Sequence, residues 1–360
     1  MAEEKEVQAI LGKEEAIVVP SSNKATKEEL YEVLKLVAPG TNFRSALDSI
    51  MRAGKGALIV IENDNLAPLL DGGFRVNCRF SAQRLVELSK MDGAIVISRD
   101  MKRLLDANVL LTPDSKIKTN ETGTRHKAAE RTAKQTGCVT IAVSERRHEI
   151  TLFYKNVRHV IKDTGELLRK ANEQMQLLEK QRELFDFYLD KLNRAELKNS
   201  LNLGHAMHVI QKGRIIQKIS KDLRRYIIEL GSEGILLRTR LKEITMNVEK
   251  ETDLVIKDYT KIGLKKSKML LGNLSYDELL DMENIKKVLA YENTTKGDVI
   301  KGWRLLSRTS LAEQEIALLI KELGGLGNVL HCDVEAYKNI LGNEKSMIFK
   351  EELEKIKGNY

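Results

Sequence analysis

Along the first 160 residues the hydrophobic pattern switches repeatedly between helical spacing and strand-like runs. In Lys27–Val37 the apolar residues Leu30, Val33, Leu34 and Val37 recur at helical intervals, predicting an amphipathic helix that Pro39-Gly40 ends. Phe43–Arg52 reads as a second short helix. Ala57–Ile61 is apolar throughout, the pattern of a strand buried on both faces. Asp71-Gly72-Gly73 turns the chain into a strand at Phe74–Cys78. Ser81 is placed to cap a helix through Met91, with Leu85, Val86 and Leu88 on its apolar side. Gly93–Ser98 and residues 107–111 follow as strands. Arg125–Thr136 is a helix stopped by Gly137, and a polar turn joins strands at Cys138–Ser144 and Glu149–Phe153. The alternation predicts an α/β N-terminal domain with a central mixed sheet, residues 1–160.

The period then changes. Positions 168, 171, 175, 178, 182, 185, 189 and 192 step by three and four and hold Leu, Ala, Met, Leu, Arg, Phe, Leu and Leu. Only Arg182 interrupts this seam, which predicts one long helix packed on other helices. Residues 205–290 continue as helices, with turns at Gly231–Gly234 and Gly272-Asn273. An all-α helical spine over 161–295 is expected. In the remainder, Leu311–Leu323 is helical and residues 324–327 turn. Asp333 caps Val334–Leu341, Gly342-Asn343 turns tightly, and Lys345–Ile356 is helical. Paired short helices around glycine turns predict a C-terminal helix-hairpin-helix domain, residues 296–360. Such hairpins hold a nucleic-acid backbone through N–H groups at helix starts.

Composition narrows the class. All four prolines (Pro20, Pro39, Pro68, Pro113) lie in the first third, so nothing later forbids long helices. The longest apolar runs are strand-sized, which predicts no membrane span. The Met-Ala-Glu-Glu-Lys-Glu start is not that of a signal peptide. Cys78, Cys138 and Cys332 have no metal-ligand spacing and predict buried thiols in a reducing, cytoplasmic setting. Net charge is +8, and residues 204–270 hold 15 basic against 8 acidic side chains. That segment is either a polyanion-facing surface or a solvated helical face.

One stretch carries chemistry. In Thr122-Gly123-Thr124-Arg125-His126-Lys127 a turn opens a helix, and cationic side chains crowd its first turn. Cations there oppose the helix dipole unless an external anion sits between them and the free N–H groups. Phosphate is the obvious anion. Asp92, on another strand, is the lone carboxylate that a phosphate-bound metal ion needs. Alone, Asp92-Gly93 is an ordinary turn, His126 a satisfied core histidine and Ser144 a turn residue. Together they place an acid, a phosphate-binding helix start and a hydroxyl at the ends of neighbouring strands, where open α/β sheets bind ligands. No Gly-x-x-x-x-Gly-Lys loop or carboxylate cluster supports a kinase or nuclease.

Asp92-Gly93-Ala94, Ala107-Asn108-Val109, residues 121–126, Ala129-Glu130-Arg131, and Ala142-Val143-Ser144 followed by Arg146-Arg147 resemble the diadenylate cyclase family. The chain as a whole is similar to cyclases with a helical spine and a DNA-binding C-terminus. The resemblance implies condensation of two ATP into cyclic di-AMP and two pyrophosphates, across a face-to-face subunit contact in a homo-octamer. It implies Mg²⁺ or Mn²⁺ on Asp92, with Asp92, Arg125 and His126 as catalytic residues. Gly93, Ala94, Thr122, Gly123, Thr124, Lys127 and Ala128 are implied around the nucleotide, with Leu111 on adenine and Ser144 on a phosphate. Branched DNA such as Holliday junctions is the implied second ligand, regulating activity through a hairpin containing Gly342, Asn343 and Lys345. The chain departs from the family at Lys127, usually arginine, and at Glu344, where Gly-x-Gly is usual. The alternative is a non-enzymatic nucleotide-binding scaffold for DNA structures.

Overall fold

The computed structural model describes residues 24–200, 202–290 and 300–358. The N-terminal hexapeptide, Pro20 and the domain boundary at 295–296 lie outside the described residues. The chain divides into two compact units, residues 24–169 with 225–235, and residues 170–224 with the described part of 236–358.

In chain order the first unit contains α1 (Lys27–Leu36), α2 (Asn42–Arg52), β1 (Ala57–Ile61), β2 (Leu70–Asp71), β3 (Phe74–Arg79), α3 (Ala82–Leu88), β4 (Ala94–Ile97), β5 (Arg103–Leu111), α4 (Thr124–Thr136), β6 (Val139–Ser144), β7 (Glu149–Tyr154) and β8 (Val157–Ile161). Eight strands form one sheet in the order β2-β5-β4-β1-β6-β7-β8, with β3 also on β5. β1 and β4 are parallel, and the other pairs are antiparallel, so the sheet is mixed as expected. Strand β8 is an addition to the elements expected from sequence. Its Val157-Arg-His-Val-Ile161 pattern is too polar and short to stand out.

Alternation along β1 sorts its residues between two cores. Ile59 and Ile61 pack with Leu34, Leu47 and Ile50 of the first helices, whereas Leu58 and Val60 pack with Ala129 and Ala133 of α4. Ser81 caps α3 by accepting from Arg84 N–H. Gly137 ends α4 in the left-handed conformation, at φ 70°.

Strand β5 is bulged where it meets β4, and Asn108 has a φ of 55°. Gly93 packs directly on this kink. A Cβ there would lie 2.7 Å from Asn108 C and 2.9 Å from Val109 N, and φ is +85°. Glycine at 93 is therefore demanded by backbone packing as well as by access for a ligand.

Helices α5 (Thr164–Leu197) and α6 (Leu203–Leu230) follow. Ala171, Met175, Leu178, Phe185 and Leu192 of the expected seam are buried, but Leu167 takes the place of the part-exposed Leu168. Arg182, the seam's interruption, donates through Nη1 to Ile244 O at 2.7 Å and Met246 O at 2.9 Å, so it satisfies the open carbonyls of a helix end. Those carbonyls close α7 (Ile235–Thr245), before α8 (Val248–Tyr259), α9 (Leu264–Asn273), α10 (Tyr276–Leu280) and α11 (Met282–Val288).

Among the described residues that follow, the helices are α12 (Trp303–Leu306), α13 (Glu313–Leu323), α14 (Leu326–His331), α15 (Val334–Leu341) and α16 (Asn343–Gly358). Leu305, Ile316, Leu326, Tyr337, Phe349 and Leu353 share one core. Asp333 occupies the N-cap of α15 but makes no side-chain cap bond. Gly342, at φ 83°, is the whole link between α15 and α16.

Candidate active site

A cavity of about 850 Å³ opens at one end of the interior strands β5, β4, β1 and β6. Its floor combines the amino ends of β1 and β4 with the carboxyl ends of β5 and β6. Ala57 pairs with Val143, Leu58 with Ala94, and Ala94 with Val109. The carboxyl-end rule for parallel sheets thus fails for the parallel pair β1 and β4, whose amino ends face the cavity. Mixed strand direction brings both kinds of end to the same side of the sheet.

Helix α4 points its start at this cavity. Its N-cap Gly123 has φ 86° and ψ 146° and carries no side chain with which to cap the helix. Thr122, Gly123, Thr124, Arg125, His126 and Ala128 all line the cavity. So do Asp92, Gly93, Leu111 and Ser144. Lys127 is exposed and lies outside the lining, because the residue after His126 is rotated by about 100° on a helix. Ala94 also lies outside it, wholly buried in the sheet core.

Arg125 reaches across to Asp92, with Nη2 donating to Oδ1 at 3.2 Å. Asp92 is 97% exposed, so its carboxylate is presented to solvent rather than absorbed into the fold. Ser144 Oγ accepts from Arg147 N–H at 3.2 Å, and Thr122 Oγ1 from Arg147 Nη2 at 2.5 Å. Behind the turn, buried Glu121 accepts from Arg158 Nε, and Arg147 Nη1 lies 3.8 Å from it. One buried carboxylate therefore anchors two arginines beside the start of α4. Arg146 and Arg147 also line the cavity, as does Glu145. The two arginines were visible as a basic pair, but their direction depends on the β6–β7 turn.

His126 is only 8% exposed, and its buried Nε2 has no hydrogen-bond partner among the described residues. Phe153 meets the ring edge-on at 6.4 Å. Burial depresses its pKa below the ordinary 6.5, with nearby Glu121 opposing that shift and Arg147 adding to it. The side chain is therefore a neutral imidazole at pH 7. The unfolded chain takes up this proton as pH falls through about 6.5, before the folded chain does. Stability from this group is full above that pH and is lost below it. Thermal melts at pH 7.5 and 5.5 are expected to show a smaller acid-side loss for His126→Gln than for the natural chain. Equal losses would contradict the assignment.

Leu58, Val109, Leu110, Leu111 and Val143 supply an apolar wall. Leu110 is 60% exposed and Leu111 6%. The wall faces a polar rim of helix N–H groups, arginines and carboxylates, a combination suited to a flat base at one end and phosphates at the other.

Such a site on such a sheet defines a nucleotide-binding α/β domain. The family model described as DisA bacterial checkpoint controller nucleotide-binding matches residues 44–158, and the DisA linker-region model matches residues 161–297. The DNA integrity scanning protein DisA of Bacillus licheniformis is 38% identical over 327 residues, covering 89% of this chain and 91% of that protein. Its counterpart in Acetivibrio thermocellus is 38% identical over 324 residues, covering 88% and 90%. Among solved structures, DacA from Staphylococcus aureus is 24% identical, with TM-score 0.30, over 38% of this chain and 91% of that one. The chain belongs to the DisA family and is a diadenylate cyclase, a nucleotidyltransferase.

Among the described residues no helix is long and apolar enough to cross a membrane, and none forms a group of three or more His, Cys, Asp or Glu fit to hold a metal ion. Asp92 and Glu145 are the carboxylates that line the cavity, and carboxylate oxygens are the ligand type that a hard divalent cation takes.

Proposed function

We propose that each cavity holds one ATP, and that two cavities brought together by self-association join two ATP into cyclic di-AMP with release of two pyrophosphates. The observation that carries this reading is the convergence on one cavity of the start of α4, the side chain of His126 and the exposed Asp92. The free N–H groups of α4 bind phosphate oxygens, and Arg125 adds a charged, two-toothed grip. Leu111 and its apolar neighbours receive the adenine. Neutral His126 hydrogen-bonds a phosphate oxygen through a protonated Nε2. Ser144 and Arg147 orient the phosphate tail.

Mg²⁺ or Mn²⁺, held by Asp92, supplies charge neutralisation at the α-phosphate. Asp92 also accepts a hydrogen bond from the attacking 3′-hydroxyl and helps to take its proton. The new bond joins that 3′-oxygen to the α-phosphorus of the facing nucleotide, and the bond to pyrophosphate breaks in line. Repeating the step in the opposite sense closes the ring. Most of the acceleration comes from holding the two reactants at attack distance.

The proposal extends to the rest of the chain as three domains: 1–160 cyclase, 161–295 spine, 296–360 helix-hairpin-helix. The last is supported by α15, Gly342 and α16, with Asn343 opening α16 and Lys345 on its first turn. Lys345 pairs with Glu315, so a DNA phosphate has to compete for it. Branched DNA such as a Holliday junction bound there slows the cyclase of a cytoplasmic homo-octamer. Incubation of the purified chain with ATP and Mn²⁺, followed by chromatography, tests the activity. Cyclic di-AMP with two pyrophosphates per product is expected. Bound but unreacted ATP would favour a scaffold, and unchanged output at saturating junction DNA would remove the regulation.

A further inference from the structure

Arg125 is held from two sides. Its Nη2 donates to Asp92 at 3.2 Å, while its Nη1 fills the space beside Gly56, the residue before β1. A Cβ at Gly56 would stand 2.3 Å from Nη1, 3.3 Å from Cζ and 3.4 Å from the Val143 carbonyl oxygen. Gly56 is buried, and it is not among the glycines of positive φ. Its backbone would accept an L-residue, so the missing side chain serves the guanidinium alone.

We propose that Gly56 is a positioning residue: its bare Cα is the seat of the Arg125 guanidinium, and the seat holds Arg125 on Asp92 as a stand-in for the divalent cation until nucleotide arrives. The inference rests on Asp92 being the cation's ligand, as proposed above. Guanidinium and metal ion are both cations, and each weakens the other's hold on one carboxylate. A phosphate gives the planar fork of Arg125 a doubly charged partner, which draws it away and frees Asp92. Cation and nucleotide therefore favour each other's binding, by the same factor in both directions. Asp92 is 97% exposed and Arg125 39%, so the pair is weak enough to release, and its competition with a metal amounts to about fivefold or less.

The test is Gly56→Ala in the full chain, without nucleotide. Mn²⁺ binding is read from the electron paramagnetic resonance signal of free Mn²⁺, and the position of Arg125 from a crystal structure of the variant. Arg125 is expected off Asp92, with the Mn²⁺ dissociation constant lowered about threefold to fivefold. Arg125→Gln is expected to give the same gain, and combining the two substitutions to add nothing further. A role confined to folding would not produce that non-additivity. Unchanged Mn²⁺ affinity with Arg125 still on Asp92 would overturn the proposal, as would additive gains. If Gly56→Ala does not fold, Arg125→Gln decides alone, since unchanged Mn²⁺ affinity there removes the competition. If Asp92→Asn leaves Mn²⁺ binding intact, the cation assignment fails instead, and the position of Arg125 in the Gly56→Ala crystal judges the seat by itself.

Discussion

Asp92→Asn is expected to lower cyclic di-AMP formation by at least about 100-fold while leaving the melting temperature nearly unchanged. The two halves of that expectation have separate causes. Asparagine keeps the shape but loses the charge that a hard cation requires, and losing a direct ligand costs more than the 10- to 100-fold typical of outer-shell partners. Stability is spared because the side chain is 97% exposed and its ion pair with Arg125 is exposed too. Such pairs contribute about 1 kcal/mol or less. Turnover measured beside a thermal melt separates the two. A variant that melts early, or one that keeps a tenth of its activity, contradicts the role given to Asp92.

The largest effect on stability is expected at Arg304. This guanidinium is wholly buried, with Nη2 donating to Glu196 Oε2 at 2.5 Å and Nη1 to Asn193 Oδ1. Tyr259 OH donates to the other Glu196 oxygen at 3.0 Å. Next to it, buried Asp258 accepts from the N–H groups of Gly302, Trp303 and Arg304 at 2.7–2.9 Å and so caps α12. Burial pushes the Asp258 carboxyl up to about 7, and the neighbouring Glu196 charge adds to the shift. Arg304→Ala strands the Glu196 carboxylate in the interior, which costs about 3–5 kcal/mol. Replacing Arg304 and Glu196 together by Met and Leu removes both charges and recovers most of the loss. Trp303 is the only tryptophan in the chain, so its emission during urea unfolding reports this region. Equal stability of Arg304→Ala and the natural chain would show that the network is not what holds α12.

Local rules made much of this legible. Helix starts, glycine stops and the five-residue apolar strand Ala57–Ile61 were set by neighbours in sequence, and the structure places them within a residue or two. The start of α4 stood out because its charges conflict with a bare helix end, and most of the predicted cluster does line one cavity. What sequence could not show was fixed by long-range pairing. Leu58 and Val143 reach the cavity because β1 pairs antiparallel with β6. Arg182 looked like a flaw in the α5 seam because its carbonyl partners lie more than sixty residues away. Arg304 and Glu196 are farther apart still, 108 residues in sequence. Gly56 carried no local signal, since its need for glycine comes from the reach of Arg125 and not from its own backbone.

A crystal of the chain grown with a non-hydrolysable ATP analogue and Mn²⁺ tests the central claim most directly. The triphosphate should lie on the start of α4, adenine against Leu111 and the cation between phosphate and Asp92, with a second copy's loaded cavity facing it. A vacant cavity, or copies whose cavities never meet, would contradict the account.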